Sequence, residues 1–258
     1  MSLKKRKLGQ TDLSISSLGL GTVKFGRTEQ VKYPNTYSLP SDEQVADLLD
    51  QAKSFGINLL DTAPAYGSSE ERLGRLLAGR QDWVICTKVG EEFINGKSVY
   101  NFSADYTKKS VERSLINLKT DYLDIVLIHS NGHDIDIIES TDCLSTLQKL
   151  KEKGTIRAIG MSTKSVEGGI KAADLTDLVM VTYNPISTEE GIVINHANNK
   201  NKGVLIKKAL NSGHICEDAF KKNFDFVLNK EGVSSVIIGT VNPEHLQTNV
   251  QIVENILR

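Results

Sequence analysis

Cysteine is scarce in this chain: Cys86, Cys143 and Cys216 are the only three among 258 residues. An odd, widely spaced set matches neither a zinc-ligand spacing nor a disulfide framework. It reads as reduced thiols in a cytoplasmic protein. Neither sign of charge is in excess. The 31 Lys and Arg against 32 Asp and Glu leave a formal charge of -1, which gives the chain as a whole no attraction to nucleic acid or to an anionic membrane. No apolar run reaches the roughly 18 residues of a membrane span. The first ten residues, MSLKKRKLGQ, are basic, but no apolar segment follows them as it would in a secretory signal. Linkers, low-complexity stretches and repeats are also missing, so one domain over residues 1–258 is expected. With 39% hydrophobic and 24% charged residues, the composition is that of a globular protein. A domain of this length buries roughly 70–75% of its unfolded surface and needs no staples.

What the chain does have is a regular alternation. Short runs rich in Val, Ile and Leu occur at Leu18–Thr22, Ile57–Asp61, Trp83–Lys88, Asp124–His129, Ile156–Met161, Leu178–Tyr183, Val204–Lys207 and Val233–Gly239. None alternates with polar residues, as expected of strands buried on both faces. Amphipathic segments lie between them: Ser41–Phe55, Ser69–Ala78, Thr107–Leu118, Ile138–Lys153, Val166–Ala173, Glu189–Asn199, Glu217–Asn229 and Pro243–Leu257. The first opens on a Ser-x-x-Gln capping box, Ser41 and Gln44, and closes before Gly56. Eight strand–helix pairs in about 250 residues predict a parallel (β/α)8 TIM barrel. The rival, an open doubly wound sheet, wants G-x-G-x-x-G after its first strand. Here Lys24 stands in place of the last glycine. The segment Leu8–Leu13 predicts a turn of an N-terminal β-hairpin that plugs the barrel bottom.

Two long connections, Val23–Pro40 and Val89–Tyr106, follow strands and so belong to the C-terminal face, where barrel active sites lie. Their aromatics, among them Phe25, Tyr33, Phe93 and Tyr100, are candidates for a substrate wall, although loops also pack aromatics simply to stay ordered. Ionisable residues end three successive strands on that face: Asp61, Lys88 and His129. Singly, each has a structural explanation as a helix cap, a snorkelling amine or a satisfied core histidine. Together with Tyr66 they have a chemical one. A phenol ionises near pH 10, and a neighbouring ammonium pulls that value down. A carboxylate keeps the ammonium charged, and a histidine orients a substrate oxygen. The set suits proton donation to an oxygen that is gaining charge. It lacks the carboxylate-rich shell of a magnesium site, and no metal is expected.

The order of these motifs resembles the aldo-keto reductase superfamily. Asp61-Thr62-Ala63, Tyr66-Gly67-Ser68 and Glu70-Glu71-Arg72-Leu73-Gly74 match its best-known signature. The strands Trp83–Lys88 and Tyr122–His129, the segment Gly154–Ser162 and the final Ile238-Gly239…Pro243-Glu244-His245-Leu246…Asn249 also match. The resemblance runs from about residue 4 to the end. It implies a nicotinamide-dependent reductase of small carbonyl compounds that uses NADPH, with NADH possible. By carry-over, Tyr66 is the general acid, Asp61 and Lys88 tune it, and His129 orients the carbonyl. The cofactor would meet Gly21, Thr22, Asp61 and Ser162 at its nicotinamide end. It would meet Gly239, Thr240, His245 and Asn249 at its adenosine end, where amides opening the last helix can receive phosphate.

The sequence departs from the family at Thr163, Met180, Lys207, His245 and Thr248, where Asn, Gln, Tyr, Arg and Glu are usual. Lys207 and Lys208 could bind phosphate instead. With Pro243–Leu257 as the last expected helix, the pocket-closing C-terminal loop of many relatives is not expected. Two other readings stand beside the reductase. One is a nucleotide-binding regulatory module. The other is a barrel isomerase or aldolase using Lys88 as a Schiff base, disfavoured because Asp61 should hold that amine as ammonium. No nucleic-acid or membrane partner is expected, and the chain is expected to be a monomer or a weak homo-oligomer.

Overall fold

The structure, a computed structural model, describes residues 3–214 and 219–258. Cys216 and the start of the expected helix 217–229 lie outside them. The strands are β1 (Lys5–Lys7), β2 (Ser14–Ser16), β3 (Leu18–Gly21), β4 (Leu59–Asp61), β5 (Val84–Val89), β6 (Glu91–Ile94), β7 (Lys97–Tyr100), β8 (Leu123–His129), β9 (Ile156–Ser162), β10 (Leu178–Thr182), β11 (Gly203–Lys207) and β12 (Ser235–Ile238). The helices are α1 (Val23–Gly26), α2 (Asp42–Ser54), α3 (Ser69–Leu76), α4 (Ala104–Asn117), α5 (Asp134–Ser140), α6 (Cys143–Glu152), α7 (Val166–Leu175), α8 (Gly191–Asn199), α9 (Phe220–Leu228) and α10 (Pro243–Leu257).

Strands β3, β4, β5, β8, β9, β10, β11 and β12 close, in that order, into a parallel eight-stranded barrel. This is the expected (β/α)8 TIM barrel. The strands lack polar alternation because both faces are buried, each in a different core. On β5 and β8, Val84, Cys86, Ile125 and Leu127 point into the barrel. Ile85, Val126 and Ile128 point out beneath the helices.

The hairpin β1–β2 plugs the barrel bottom as expected. Leu8, Leu13 and Ile15 join the inner cluster with Leu59, Leu178 and Leu205. Asp124 ties this end together. Its buried carboxylate accepts from Arg80 (2.7 Å), Arg157 (2.8 Å) and the Ile85 amide (3.0 Å), and Arg157 also reaches Asp12 beside the hairpin turn (2.8 Å).

The capping box opens α2 as the sequence suggests: Ser41 Oγ accepts from the Gln44 amide, and Gln44 Oε1 accepts from the Ser41 amide. The expected single helix 138–153 is two helices, α5 and α6. Thr141 between them is extended. Its hydroxyl donates to the Ile137 carbonyl (2.7 Å) and accepts from the Cys143 amide (3.4 Å), replacing helical bonds. Neither long connection is structureless. The first begins with α1, and the second contains the antiparallel hairpin β6–β7. Among the described residues, no helix is long and apolar enough to cross a membrane. Cys86 and Cys143 are buried free thiols.

Candidate active site

The C-terminal ends of the barrel strands open into a cavity of about 1030 Å³, large for a single small molecule. Asp61 ends β4 and Lys88 lies near the end of β5, in adjacent strands, so their side chains meet at the barrel mouth. Lys88 Nζ donates to Asp61 Oδ1 (2.5 Å) and to the Thr62 carbonyl (2.8 Å), and both side chains are buried. Burial is the largest single influence and opposes the Lys88 charge, but Asp61, Tyr66 and Cys86 together outweigh it, and the amine is held as ammonium above its ordinary range.

Tyr66 arrives on a 3-10 turn, Pro64–Tyr66, with its hydroxyl 3.5 Å from Asp61 Oδ2. Lys88 Nζ lies 4.8 Å from the ring centre. The turn is fixed by backbone. Gly67 has φ +61°, and a Cβ there would come 2.1 Å from the Gly26 carbonyl oxygen. A Cβ on Gly26 would come 2.3 Å from the Tyr66 carbonyl oxygen. Only glycine fits either place. Arg72 fastens the same region to the first long connection, donating to Asp42 and to the carbonyls of Phe25 and Pro40. The sequence predicts a Tyr66 phenol pulled down by Lys88. The net direction is upward instead, because burial outweighs the ammonium. Tyr66 is therefore a protonated group.

His129, at the end of β8, sets its ring edge-on to Tyr66 with centres 6.3 Å apart. Its Nδ1 lies 2.8 Å from Oε2 of Glu91. Its alignment is poor for a hydrogen bond, but at this distance each group shifts the other's pKa. Burial lowers the His129 pKa and Glu91 opposes this, with a net shift downward. Burial of Glu91 favours its neutral form, but His129, Ser98 and Arg27 together hold its carboxyl down at about 2. Ser98 donates to Glu91 Oε1 (2.6 Å) across the β6–β7 hairpin. Glu91 escaped the sequence reading, which took this segment for a loop. The signal was Asn95-Gly96, a type I′ hairpin dipeptide, and both residues have positive φ.

Among the described residues, Lys24, Arg27, Lys32, Lys88, Lys164, Lys207 and Lys208 line the cavity, with Asp61, Glu91 and Glu190 as its acids. The near-zero charge of the whole chain conceals this concentration. A positive, partly enclosed mouth draws anions.

A sequence model of the aldo/keto reductase family matches residues 17–224. The chain belongs to that family. It is an oxidoreductase, and the family's reaction in general is carbonyl reduction with a nicotinamide cofactor. An aldo-keto reductase structure from Pseudomonas aeruginosa superposes with a TM-score of 0.92 at 49% identity, covering 98% of this chain and 95% of that one. The holo form of a Bacillus halodurans aldo-keto reductase gives 0.81 at 25% identity, covering 98% and 91%. In sequence, the chain is 28% identical to the Bacillus subtilis oxidoreductase YqkF over 96% of this chain and 90% of that protein. It is also 28% identical to the NADH-specific methylglyoxal reductase of Escherichia coli over 79% and 69%.

The cavity wall includes Gly21, Tyr33, Asp61, Tyr66, Lys88, Tyr100, His129, Ser162, Lys207, Gly239, Thr240, His245 and Asn249 of the expected site residues. Three others fall elsewhere. Phe25 is completely buried in the outer core, because α1 turns it under the barrel helices. Thr22 is buried with its hydroxyl spent, donating to the Asp61 carbonyl (2.9 Å) and accepting from Ser69 (2.7 Å). Phe93 is covered by the Arg27 guanidinium, 3.6 Å above its ring. The amides opening α10 are also engaged. Asn242 Oδ1 accepts from those of Glu244 (2.8 Å) and His245 (3.4 Å).

One observation suits a nucleotide at this end. Asn249 Oδ1 is buried and lacks a hydrogen-bond partner, which fits an amino donor such as that of adenine. Gly239 packs directly against Tyr33, whose hydroxyl would lie 2.3 Å from a Cβ at this position.

Proposed function

We propose that this chain is an NADPH-dependent reductase of aldehydes or ketones in which Tyr66 is the proton donor. The observation that carries the reading is the gathering in one cavity of a protonated buried phenol, an ammonium fixed by Asp61, and a histidine whose Nε2 is left for a substrate oxygen. When bound, the reduced nicotinamide supplies hydride to the carbonyl carbon. The charge left on oxygen is handled by the protein. Tyr66 gives its hydroxyl proton, Lys88 stabilises the phenolate that remains, and His129 Nε2 orients the oxygen. Gly21, Asp61, Ser162, Gly239, Thr240, His245 and Asn249 would hold the cofactor, with Lys207 at the Ser162 end. Tyr33 and Tyr100 would contact substrate. The whole chain acts as one domain, and a cytoplasmic setting suits its buried free thiols.

Cofactor titration followed by turnover on a carbonyl panel tests the reading. NADPH is expected to bind more tightly than NADH, because the 2′-phosphate adds charge facing a cationic mouth. His245→Ala should weaken NADPH by roughly 1–2 kcal/mol and leave NADH nearly unchanged, on the scale of one charge-assisted hydrogen bond. Equal losses would reject the His245 role. Tighter binding of NADH by the wild type would reject the cofactor choice. NADPH binding with turnover of no carbonyl would favour a regulatory module.

Glu91 gives a pH test. It raises the His129 pKa against burial, so Glu91→Gln should move the His129-controlled limb of the kcat/KM profile to lower pH. An unmoved limb would mean that the 2.8 Å contact does not govern this histidine.

A further inference from the structure

Two lysines near strand ends face the same cavity, and they are held in opposite ways. Lys88 is clamped by a carboxylate at 2.5 Å. Lys207, the last residue of β11, reaches across to the end of β9. There its Nζ donates to Ser162 Oγ (2.8 Å) and the Thr163 carbonyl (2.7 Å), both neutral acceptors. No ion pair holds it among the described residues. The next residue is also a lysine, with φ +57°, and Lys164 lines the same wall. An amine that is desolvated, lacks a carboxylate clamp and sits beside further cations is the usual arrangement of a nucleophilic lysine.

We propose that Lys207 condenses with anionic aldehydes entering the cavity, giving this barrel a covalent carbonyl-binding site apart from the Asp61–Tyr66–Lys88–His129 cluster. The Nζ lone pair forms the C–N bond as the carbonyl π pair moves to oxygen. After proton transfer, that oxygen leaves as water and nitrogen loses its second proton, giving a C=N imine. One aldehyde and one amine yield one imine and one water, with no oxidant or reductant. Ser162 Oγ, 2.8 Å from Nζ, is placed to pass a proton between nitrogen and the departing oxygen. Lys32, Lys164 and Lys208 favour an aldehyde that carries a carboxylate or phosphate. The groups facing Lys207 act in both directions. Burial, Lys208 and Lys164 disfavour its charge, while Glu190 and Asp134 favour it, and the balance lies at about 8.

The proposal does not rest on the reductase reading, since imine formation needs no nicotinamide. The test treats the full-length protein with glyoxylate and cyanoborohydride and maps the resulting carboxymethyl groups by peptide mass spectrometry. At pH 7, Lys207 should be tagged about 10-fold faster than exposed lysines such as Lys221, because burial leaves more of Lys207 as free amine. The rate should rise with a midpoint near pH 8. Lys207→Arg should abolish the tag at that position and leave the others unchanged. Lys208→Gln removes a neighbouring cation and should slow Lys207 tagging at pH 7 about twofold to threefold. Tagging of Lys207 no faster than Lys221, or a midpoint near 10, would overturn the proposal whether or not Lys207→Arg folds.

Discussion

Tyr66→Phe should cost about 10²–10⁴ in turnover, the usual contribution of one general acid, while cofactor affinity stays within about twofold of wild type. The separation follows from the site. The hydroxyl's contact with Asp61 is long, 3.5 Å, and Asp61 keeps Lys88 as its partner without it. The ring remains in place because Gly26 and Gly67 fix its backbone. What is lost is the proton on Oη. Burial keeps that proton on the phenol until charge develops on the substrate oxygen. The checks are stopped-flow turnover on the best substrate and fluorescence titration with NADPH. Turnover within tenfold of wild type would remove Tyr66 from the mechanism.

Lys88→Met should fail in two measurable ways. The first is chemical. Lys88 is the strongest influence pulling the Tyr66 pKa down against burial. Without it the phenol becomes a weaker acid, activity falls, and any residual optimum moves alkaline. The second is structural. Asp61 would be left as a buried carboxylate without its ammonium, and breaking such a pair costs about 3–5 kcal/mol. Urea denaturation measures the second and a pH–rate profile the first. Lys88→Arg should restore part of the stability and little of the activity. Lys88 is 1% exposed, and a planar fork does not fit where one Nζ bridges Asp61 and the Thr62 carbonyl. Full activity in the Arg variant would show that the position of the charge is unimportant. As to pH, the Lys88 pKa is raised on folding. Its contribution is complete below the unfolded value and is lost only as pH rises through the folded one, in strongly alkaline solution.

The parts of this site that could be read in the sequence are those fixed by the strand ladder. Asp61, Lys88 and His129 end or nearly end apolar runs, and register alone brings them to one rim. The parts that could not be read depend on where a side chain turns after the strand ends. Phe25 looks like any loop aromatic until α1 rotates it inward. Thr22 carries a plausible ligand hydroxyl, and only the tertiary fold shows Ser69 beside it. Glu91 needed the Asn95-Gly96 turn to be taken as a hairpin, which brings Ser98 back onto its carboxylate. Glu190 lies before α8, far from the motifs, and reaches the cavity by accepting from the Thr182 amide (2.7 Å). Thr141 breaks a helix whose apolar periodicity runs through it, because its hydroxyl competes for backbone bonds that a pattern of side chains does not reveal.

The contact between Gly26 and Gly67 bears on how this protein could be redesigned. It separates the mount of Tyr66, the proposed proton donor, from the walls proposed to contact substrate. Tyr33 and Tyr100 come from the two long connections, outside that contact. A library varied at those two positions, with both glycines held, would search substrate preference while the proton-transfer geometry stays constant. A library that admitted alanine at either glycine would spend most of its members on chains whose tyrosine has moved.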